Sequence, residues 1–325
     1  MQIYKFNQIL KPVLWGGDKL LSFKNLPPAG EPIGESWELS AMAGRESVVA
    51  EGADRGRTLT ELVRLHGASL VGEDVYRRYG ESFPLLIKLI DAKRDLSIQV
   101  HPNEAMARRC HGCSGKNEMW YVIQADEGGL VHTGFNRPMS PDEYDRRMAD
   151  DSIMEVINSV TGKPGDAFFI PAGQIHAIGA GLLLAEIQQA SDITYRIYDY
   201  NRRDAQGNLR ELHTSQAREA LSYEPYDGRV DYEPCEGDGV TPVVCCPDFE
   251  VNRVDFASGY TMRLQQPHSF VVMMCLNGET DLVADGMPAI HLRQGETALV
   301  PAIVDEIEMN GSAQLLTAMV PVKKN

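Results

Sequence analysis

Residues 165–176 read Gly-Asp-Ala-Phe-Phe-Ile-Pro-Ala-Gly-Gln-Ile-His, an apolar run enclosed by turn-forming residues. The Gly165-Asp pair predicts a turn that opens a short strand, since glycine and aspartate both favour tight turns. Pro171 and Gly173 predict a second turn directly after the strand, and His176 lies just past that corner. A lone histidine is most often structural or exposed, but this spacing sets His176 apart as a candidate functional residue.

The same pattern recurs near the C-terminus, where residues 295–302 read Gly-Glu-Thr-Ala-Leu-Val-Pro-Ala. In both copies a glycine, an acidic residue and a small residue lead into an apolar run that ends at Pro-Ala. Each copy also follows an apolar run containing an aromatic residue, at 119–124 and at 270–276. The repeat predicts two barrel-like units.

The boundary between the units is expected within residues 224–242, which are rich in Gly, Pro and acidic residues and look like a linker. We therefore predict a catalytic unit at 1–235 and a second unit at 236–325. The second copy has Ile303 at the position of Gly173, and no histidine follows it. We predict that the second unit is degenerate and has no metal site.

Short apolar or alternating runs separated by Gly, Pro, Asp and Asn predict a mainly β protein. The clearest of these runs are at 85–90, 96–101, 119–124, 167–170 and 182–188. Capping boxes at Thr58–Glu61 and Ser140–Glu143 predict that helices begin at these residues. Helical insertions in the first unit are expected at about 58–80, 140–158 and 214–222.

Charge and cysteine content limit the classes of function. The formal net charge of −15 argues against nucleic acid and anionic membrane as partners, because both require a basic surface. A small phosphorylated substrate needs only a few local cations. We expect a cytoplasmic protein with reduced thiols, since the sequence has no secretory signal and its six cysteines form no dense pattern. The Cys110-His-Gly-Cys113 stretch is interpreted as a surface loop.

Polar residues alternate with apolar ones in the run at 96–102, Leu-Ser-Ile-Gln-Val-His-Pro. Side chains alternate between the two faces of a strand, so Ser97, Gln99 and His101 should share one face. Such a stripe is unremarkable on a solvent-exposed face. Inside a barrel it needs partners, which a metal ion or a ligand can provide.

Several segments resemble type I mannose-6-phosphate isomerases of the cupin superfamily, in particular their compact bacterial branch. They occur in the family's order between residues 14 and 202 and comprise 14–17, 34–40, 95–103, 115–121, 171–177 and 191–199. The resemblance implies two cupin-like (jelly-roll) barrels. It also implies a metal-dependent aldose–ketose isomerase that interconverts mannose 6-phosphate and fructose 6-phosphate through an enediolate.

The resemblance further implies one zinc ion per chain, held by Gln99, His101, Glu118 and His176. Imidazole and carboxylate groups suit zinc, and an open coordination position suits catalysis. Glu118 comes later in the chain than the glutamate of the general cupin pattern, which lies within a few residues of the first histidines.

Charged residues inside apolar runs are the remaining candidates. Lys88 and Glu186 each interrupt such a run, so each must be paired or face a cavity. By resemblance, catalytic roles fall on Arg196, Lys116 and Glu186, and substrate contacts on Lys88, Ser97 and Trp15. An ion pair with Asp192 or Asp199 is the alternative for Arg196, and a core position is the alternative for Trp15 and Trp37. The base is open between Glu186, Lys116 and a metal-bound water.

Other functions remain open at this point. The scaffold could isomerise another sugar phosphate, perform oxygenation with iron, bind a sugar phosphate without catalysis, or be purely structural. The predicted partner is a small sugar phosphate, and the protein is expected to be a monomer or a homodimer. The cluster of candidate ligands and cations favours the isomerase.

Overall fold

The computed structural model describes residues 1–203, 207–264 and 269–321. It is mainly β, as predicted. The strands of the described residues are β1 (Tyr4–Asn7), β2 (Ile9–Gly17), β3 (Ile33–Leu39), β4 (Ala41–Met42), β5 (Arg45–Glu46), β6 (Val48–Val49), β7 (Leu85–Ala92), β8 (Ile98–Val100), β9 (Glu118–Ala125), β10 (Leu130–Phe135), β11 (Ile157–Thr161), β12 (Ala167–Ile170), β13 (His176–Ile178), β14 (Leu182–Gln189), β15 (Tyr195–Tyr198), β16 (Arg229–Val230), β17 (Gly239–Cys245), β18 (Glu250–Phe256), β19 (Tyr260–Arg263), β20 (Val271–Val283), β21 (Ile290–Arg293), β22 (Thr297–Val300) and β23 (Glu306–Met319).

Short helices connect the strands. In the described ranges they are α1 (Lys19–Phe23), α2 (Leu59–His66), α3 (Ala68–Val71), α4 (Glu73–Tyr79), α5 (Glu104–His111), α6 (Pro141–Ala149), α7 (Thr214–Ala220) and a 3₁₀ helix at Ile153–Val156. Within these same ranges, no helix has both the length and the apolar character needed to cross a membrane.

The strands form three main antiparallel sheets. The central sheet has the order β16-β12-β9-β14-β7-β3-β2, and the outer sheet has the order β11-β10-β13-β8-β15. The C-terminal sheet follows the path β17-β18-β23-β20-β22-β1-β6. Strands β4 and β5 form a separate small pair.

The central sheet has two buried faces. One face meets the outer sheet across an apolar cluster that includes Val122 and Leu184 from the central sheet and Val131 and Ile178 from the outer sheet. The other face packs with helices α2–α4 and the C-terminal sheet in a larger core. The space between the central and outer sheets is the interior of the first unit, and it is apolar at one end.

Glycines divide the helical region predicted at 58–80. Thr58 and Glu61 form the reciprocal capping box, in which each side chain bonds to the backbone of the other. The chain then breaks at Gly67 and Gly72, whose φ angles of +50° and +95° are costly for other residues. Three short helices therefore replace one long helix.

The other helical regions show one difference from the prediction. Ser140 caps α6 by accepting a hydrogen bond from the Glu143 backbone, but the Glu143 side chain pairs with Arg137 and Arg147 instead of closing the box. The surface loop expected at Cys110–Cys113 is wrong in part. Asn103 caps helix α5, which includes Cys110, and the thiols of both cysteines are free.

The sequence repeat corresponds to a repeat in strand order. The succession β12-β9-β14-β7 in the central sheet matches β22-β20-β23-β18 in the C-terminal sheet. In this alignment Lys88 and Glu186 face each other across β7 and β14, and Asn252 and Thr317 occupy the matching positions of β18 and β23. A charged pair in the first unit is therefore replaced by uncharged residues in the second.

The N-terminal segment belongs to the C-terminal sheet. Tyr4 in β1 pairs with Leu299 in β22, and Phe6 pairs with Val49 in β6. Strand β1 lies beside β22 at the place where β16 lies beside β12 in the central sheet. The division of the chain at residue 235 stays a prediction, and residues from before that point complete the C-terminal sheet.

Helix α2 offers a test of the core between the central and C-terminal sheets. Leu62→Ala should lower the free energy of unfolding by about 2–5 kcal/mol, because Leu62 is 0 % exposed in this core. Leu65→Ala on the same helix is the control; this side chain is 54 % exposed, and the expected change is within about 0.5 kcal/mol. Urea unfolding measures the free energy of unfolding of both variants. Equal losses in Leu62→Ala and Leu65→Ala would contradict the burial of Leu62 in this core.

Candidate metal centre and surrounding pocket

Three buried side chains converge between the central and outer sheets. His101 follows β8 and His176 begins β13, which are neighbours in the outer sheet, while Glu118 begins β9 of the central sheet. One nitrogen of each histidine and one carboxylate oxygen all lie within 4.8 Å of one another. The strand alternation predicted for Ser97, Gln99 and His101 brings two of these polar residues to this point.

Backbone carbonyls set the direction of both imidazoles. Nδ1 of His101 lies 2.8 Å from the carbonyl oxygen of Ile193, and Nδ1 of His176 lies 2.9 Å from that of Gln174. Because a carbonyl only accepts, each Nδ1 carries the hydrogen and each neutral ring presents a lone pair at Nε2. The two Nε2 atoms are 3.1 Å apart, so two acceptors face each other where a cation would bind to both.

Burial keeps both histidines neutral. It lowers the pKa of His101 to about 4, with Lys116 adding to the effect. It also lowers the pKa of His176. A metal ligand must be the neutral imidazole, so neither ring needs to lose a proton to bind an ion near neutral pH.

Glu118 supplies a negative charge to the same point. Its carboxylate oxygens lie 3.4 Å from Nε2 of His101 and 3.3 Å from Nε2 of His176, and neither oxygen has a hydrogen bond of good geometry. Burial by itself would raise the pKa of Glu118, but Lys116 at 2.8 Å and the two imidazoles hold it well below its ordinary value. An ionised carboxylate with unused lone pairs is suited to a metal ion.

Gln99 provides a fourth group. In β8 it lies opposite His176, and its side-chain nitrogen is 3.2 Å from Nε2 of His176. A half-turn of the amide places the oxygen there instead. Two imidazoles, a carboxylate and an amide oxygen are a donor set that suits a divalent transition metal. These residues therefore fit a metal ion and can hold one.

Lys116 lies at the edge of this cluster. Its ammonium is 2.8 Å from Glu118 and 3.1 Å from Nε2 of His101, and the residue is 4 % exposed. Lys116 and Glu118 are two residues apart at the start of β9, which places both on one face of the extended chain. The predicted proximity of this lysine to the ligand set is therefore present.

Lys88 and Glu186 form a buried ion pair in the same interior. Nζ of Lys88 is 2.8 Å from one oxygen of Glu186, and the indole nitrogen of Trp120 donates to the other oxygen at 3.1 Å. Burial by itself would lower the pKa of Lys88, but Glu186 and Glu35 raise it, so the ammonium stays charged. The ring of Trp120 meets that of His176 edge-on, with centroids 5.5 Å apart.

Arg196 is a cation that meets no matching carboxylate in the part of the chain that the structure describes. It lies opposite Gln99 in the outer sheet and donates to Ser97 Oγ at 3.3 Å and to the carbonyl of Glu211 at 3.0 Å. Among the residues that the structure describes, no salt bridge to Arg196 is formed. The alternative of an ion pair with Asp199 is wrong, because Arg202 and Arg210 occupy that carboxylate.

The alternative pairing of Arg196 with Asp192 is also wrong, since Asp192 pairs with Arg45 at 3.5 Å. Burial lowers the pKa of Arg196, and the positive charge of Arg210 adds to this effect. An arginine that is partly desolvated and lies near another cation favours a bound anion.

The two tryptophans differ in their surroundings. Trp15 is buried in the apolar cluster with Ile90 and Leu184, which favours a core role. Trp37 lies among charges: its indole nitrogen donates to Glu35 at 2.6 Å, and the ammonium of Lys11 is 3.8 Å from its ring centroid.

Sequence reasoning missed Glu35, Arg202 and Arg210. Burial would raise the pKa of Glu35, but Lys88 and the bond from Trp37 hold it below its ordinary value. Glu35 lies two residues before Trp37 in β3, so both side chains share one face of the strand. This spacing could have predicted that Glu35 lies beside Trp37. The arginines lie outside regular strands, where no periodicity marks the side chains that will meet.

Facing antiparallel sheets that enclose a buried His–Glu–His cluster define a metal-binding protein of the cupin class. Residues 3–136 match the family model "Phosphomannose isomerase type I, catalytic domain", and residues 240–320 match "Mannose-6-phosphate isomerase, cupin domain".

Full-length relatives agree with these matches. Mannose-6-phosphate isomerase ManA of Bacillus subtilis is 34 % identical over 96 % of this chain and 97 % of its own length. Mannose-6-phosphate isomerase of Streptococcus mutans is 32 % identical over 94 % of each chain. The crystal structure of the Bacillus subtilis mannose 6-phosphate isomerase superposes with a TM-score of 0.88 at 31 % identity, covering 98 % of this chain and 99 % of that one. The chain belongs to the type I phosphomannose isomerase family.

The neutral histidines predict how stability depends on pH. Metal-free protein should lose stability as the pH falls from 6.5 toward about 4, because His101 titrates at about 4 when folded and near 6.5 when unfolded. In this window the unfolded chain binds more protons, so stability rises with pH, by up to about 1.4 kcal/mol per pH unit for each imidazole. Urea unfolding in chelator at several pH values measures the slope.

His101→Gln is the control for this prediction, since glutamine fills similar space and does not titrate. Between pH 6.5 and 4, the free energy of unfolding of this variant should change less steeply with pH than that of the parent protein. Equal slopes would mean that His101 is not held neutral in the folded chain.

Proposed function

We propose that this protein interconverts mannose 6-phosphate and fructose 6-phosphate as an aldose–ketose isomerase. The observation that carries the proposal is the buried cluster of His101, Glu118 and His176, with Arg196 on the neighbouring strand, where it forms no salt bridge within the described ranges. A metal-binding cluster and an available cation are the two features that a phosphorylated sugar and an anionic intermediate require. The named activities of the full-length relatives support the same reaction.

The ion of this proposal is zinc, one per chain, held by Gln99, His101, Glu118 and His176. The mixed set of nitrogen and oxygen donors and the absence of cysteine from it support a catalytic site with an open position rather than a closed structural one. When bound, the ion would act as a Lewis acid that stabilises negative charge on the sugar oxygens.

Arg196 is the proposed phosphate-binding or charge-stabilising group. Lys88 and Lys116 are each within 2.8 Å of a carboxylate, so their charge is already balanced inside the pocket. Arg196 has no such partner among the described residues, and Ser97 fixes one side of its guanidinium. These contacts support binding of the substrate's phosphate nearer to Arg196 than to the two lysines.

Proton transfer between C1 and C2 of the sugar is assigned to the interior side chains. Lys116 contacts His101 directly, and Glu186 is linked to the cluster through Trp120 and is oriented by Lys88 and Trp120. Glu186 is the proposed proton carrier, and Lys116 the cation that stabilises the enediolate beside the centre. Trp15 stays a candidate sugar contact, although its apolar surroundings support a packing role.

The proposed setting is the cytoplasm, with a small sugar phosphate as the partner. All six cysteines lie within the described ranges and are unpaired, as reducing conditions maintain them.

A coupled assay for fructose 6-phosphate formed from mannose 6-phosphate tests the reaction. Chelator-treated protein should lose turnover and regain it with zinc, and metal analysis of the regained form should give one zinc per chain. His101→Ala should stay inactive with zinc, because an imidazole of the cluster is gone. His291→Ala is the matched control; this histidine is partly exposed and bonds Asp281 on β20, so turnover should be unchanged.

Two outcomes would contradict the proposal. Folded protein that shows no turnover with any divalent metal would exclude this isomerase reaction. Thermal stabilisation by mannose 6-phosphate in that same inactive protein would indicate a binding protein instead. Turnover that survives complete metal removal would exclude the metal centre from the reaction.

Glu186→Gln tests the proton carrier. With metal content verified, kcat should fall about 10²–10⁴-fold, the usual contribution of a general base. The variant also leaves Lys88 buried without its counter-ion, so the double variant Lys88→Met with Glu186→Gln is the control. It should remain inactive. Recovery of turnover in the double variant would show that Glu186 serves only as the partner of Lys88.

A further inference from the structure

Asn117 lies between Lys116 and Glu118, and its side chain points away from the metal cluster because neighbours alternate along a strand. Both ends of the side chain are bonded: Nδ2 donates to Asp248 Oδ2 at 2.8 Å, and Oδ1 accepts from the backbone of Ala172 at 2.8 Å. Its backbone N–H donates to the side-chain oxygen of Gln189, also at 2.8 Å. The residue before the ligand Glu118 is therefore fixed from three directions.

Two of the partners of Asn117, Gln189 and Ala172, belong to segments that carry or adjoin a site residue. Gln189 ends β14, the strand of Glu186. Ala172 is part of the turn that leads to His176, and the next residue, Gly173, donates its N–H to the carbonyl of His101 at 2.9 Å. The position of Asn117 consequently sets the spacing between the segments that hold the cluster.

Asp248 is the partner that comes from the C-terminal sheet. It lies in the turn between β17 and β18 and is 9 % exposed. Its other oxygen, Oδ1, accepts from Arg78 of helix α4 at 2.8 Å, and Arg78 also donates to the carbonyl of Pro247 at 2.8 Å. The carboxylate is therefore held in place on the side away from Asn117.

The charge of Asp248 also determines which way the Asn117 amide turns. An ionised carboxylate only accepts hydrogen bonds, so the NH₂ group of Asn117 must face Asp248 and the oxygen must face the N–H of Ala172. The reversed amide would bring two acceptors together at one end and two donors at the other. One aspartate thus selects one arrangement of the strand that begins with Glu118.

We infer that Asp248 is a positioning residue for the metal centre, acting through Asn117 on Glu118. This inference rests on the proposed metal site and gives the C-terminal unit a part in it. The unit has no His–Glu–His cluster of its own among the described residues, and it would influence the reaction by fixing the carboxylate ligand of the first unit. Replacing a residue that orients a metal ligand commonly weakens metal affinity by about 10–100-fold.

The test compares metal binding by Asp248→Ala and by the parent protein. Asp248→Ala should bind zinc at least about 10-fold more weakly in competition with a chromophoric chelator. Its cobalt-loaded form should also show an altered visible absorption spectrum, because cobalt reports the geometry of its ligands. Asp248→Asn keeps an acceptor for Asn117, so its zinc affinity should lie between those of the parent and of Asp248→Ala.

The control is Asp238→Ala. Asp238 precedes β17 at the opposite end of the same hairpin, where it accepts a hydrogen bond from the backbone of Ala257 at 2.8 Å. Its removal costs the same hairpin one exposed hydrogen bond, and zinc affinity and the cobalt spectrum should match those of the parent. A change common to Asp238→Ala and Asp248→Ala would indicate a general loss of stability.

The outcomes separate this inference from the proposed function. Parental zinc affinity and an unchanged cobalt spectrum in folded Asp248→Ala would overturn the inference, whatever its unfolding temperature, and leave the isomerase proposal intact. If Asp248→Ala does not fold, Asp248→Asn becomes the deciding variant. Zinc affinity of Asp248→Asn equal to that of the parent would then overturn the inference. A parent that binds metal without isomerising mannose 6-phosphate would overturn only the isomerase proposal.

Discussion

The two imidazole nitrogens that face each other at 3.1 Å are the constraint on which the site depends. Hydrogen bonds from Nδ1 to carbonyl oxygens direct both lone pairs to one point, and burial prevents the rings from escaping repulsion by protonation. A cation at that point turns the repulsion into attraction. Glu118 contributes the compensating negative charge, so the cluster is nearly complete as a metal site before any ion binds.

The surrounding charges follow from this centre. Lys116 balances Glu118, and Lys88 balances Glu186 in the same interior. Arg196 is left with a positive charge that no carboxylate of the described residues balances. A protein with a formal net charge of −15 thereby keeps a local cation available for an anionic substrate. The net charge argues against nucleic acid as a partner, but it says little about a pocket a few residues wide.

The repeat shows how the two units differ in buried charge. Both units share the same succession of strands, but the positions of Lys88 and Glu186 are taken by Asn252 and Thr317 in the second unit. A buried charge is stable only with its partner, so an uncharged pair at these positions leaves an ordinary core. The second unit instead meets the first through a broad apolar core and through Asp248, which bonds the strand that begins at Glu118.

The sequence by itself determined the mainly β architecture and the repeated strand–turn unit, because alternation and turn residues are local. Its resemblance to a known family implied that Gln99, His101, Glu118 and His176 form one ligand set. The tertiary structure alone decided that Arg196 has no counter-ion among the described residues and that Asp248 reaches Asn117 across 131 positions of the chain. Such contacts join segments that nothing in the local pattern relates, because they are set by how the sheets pack and not by the residues beside them.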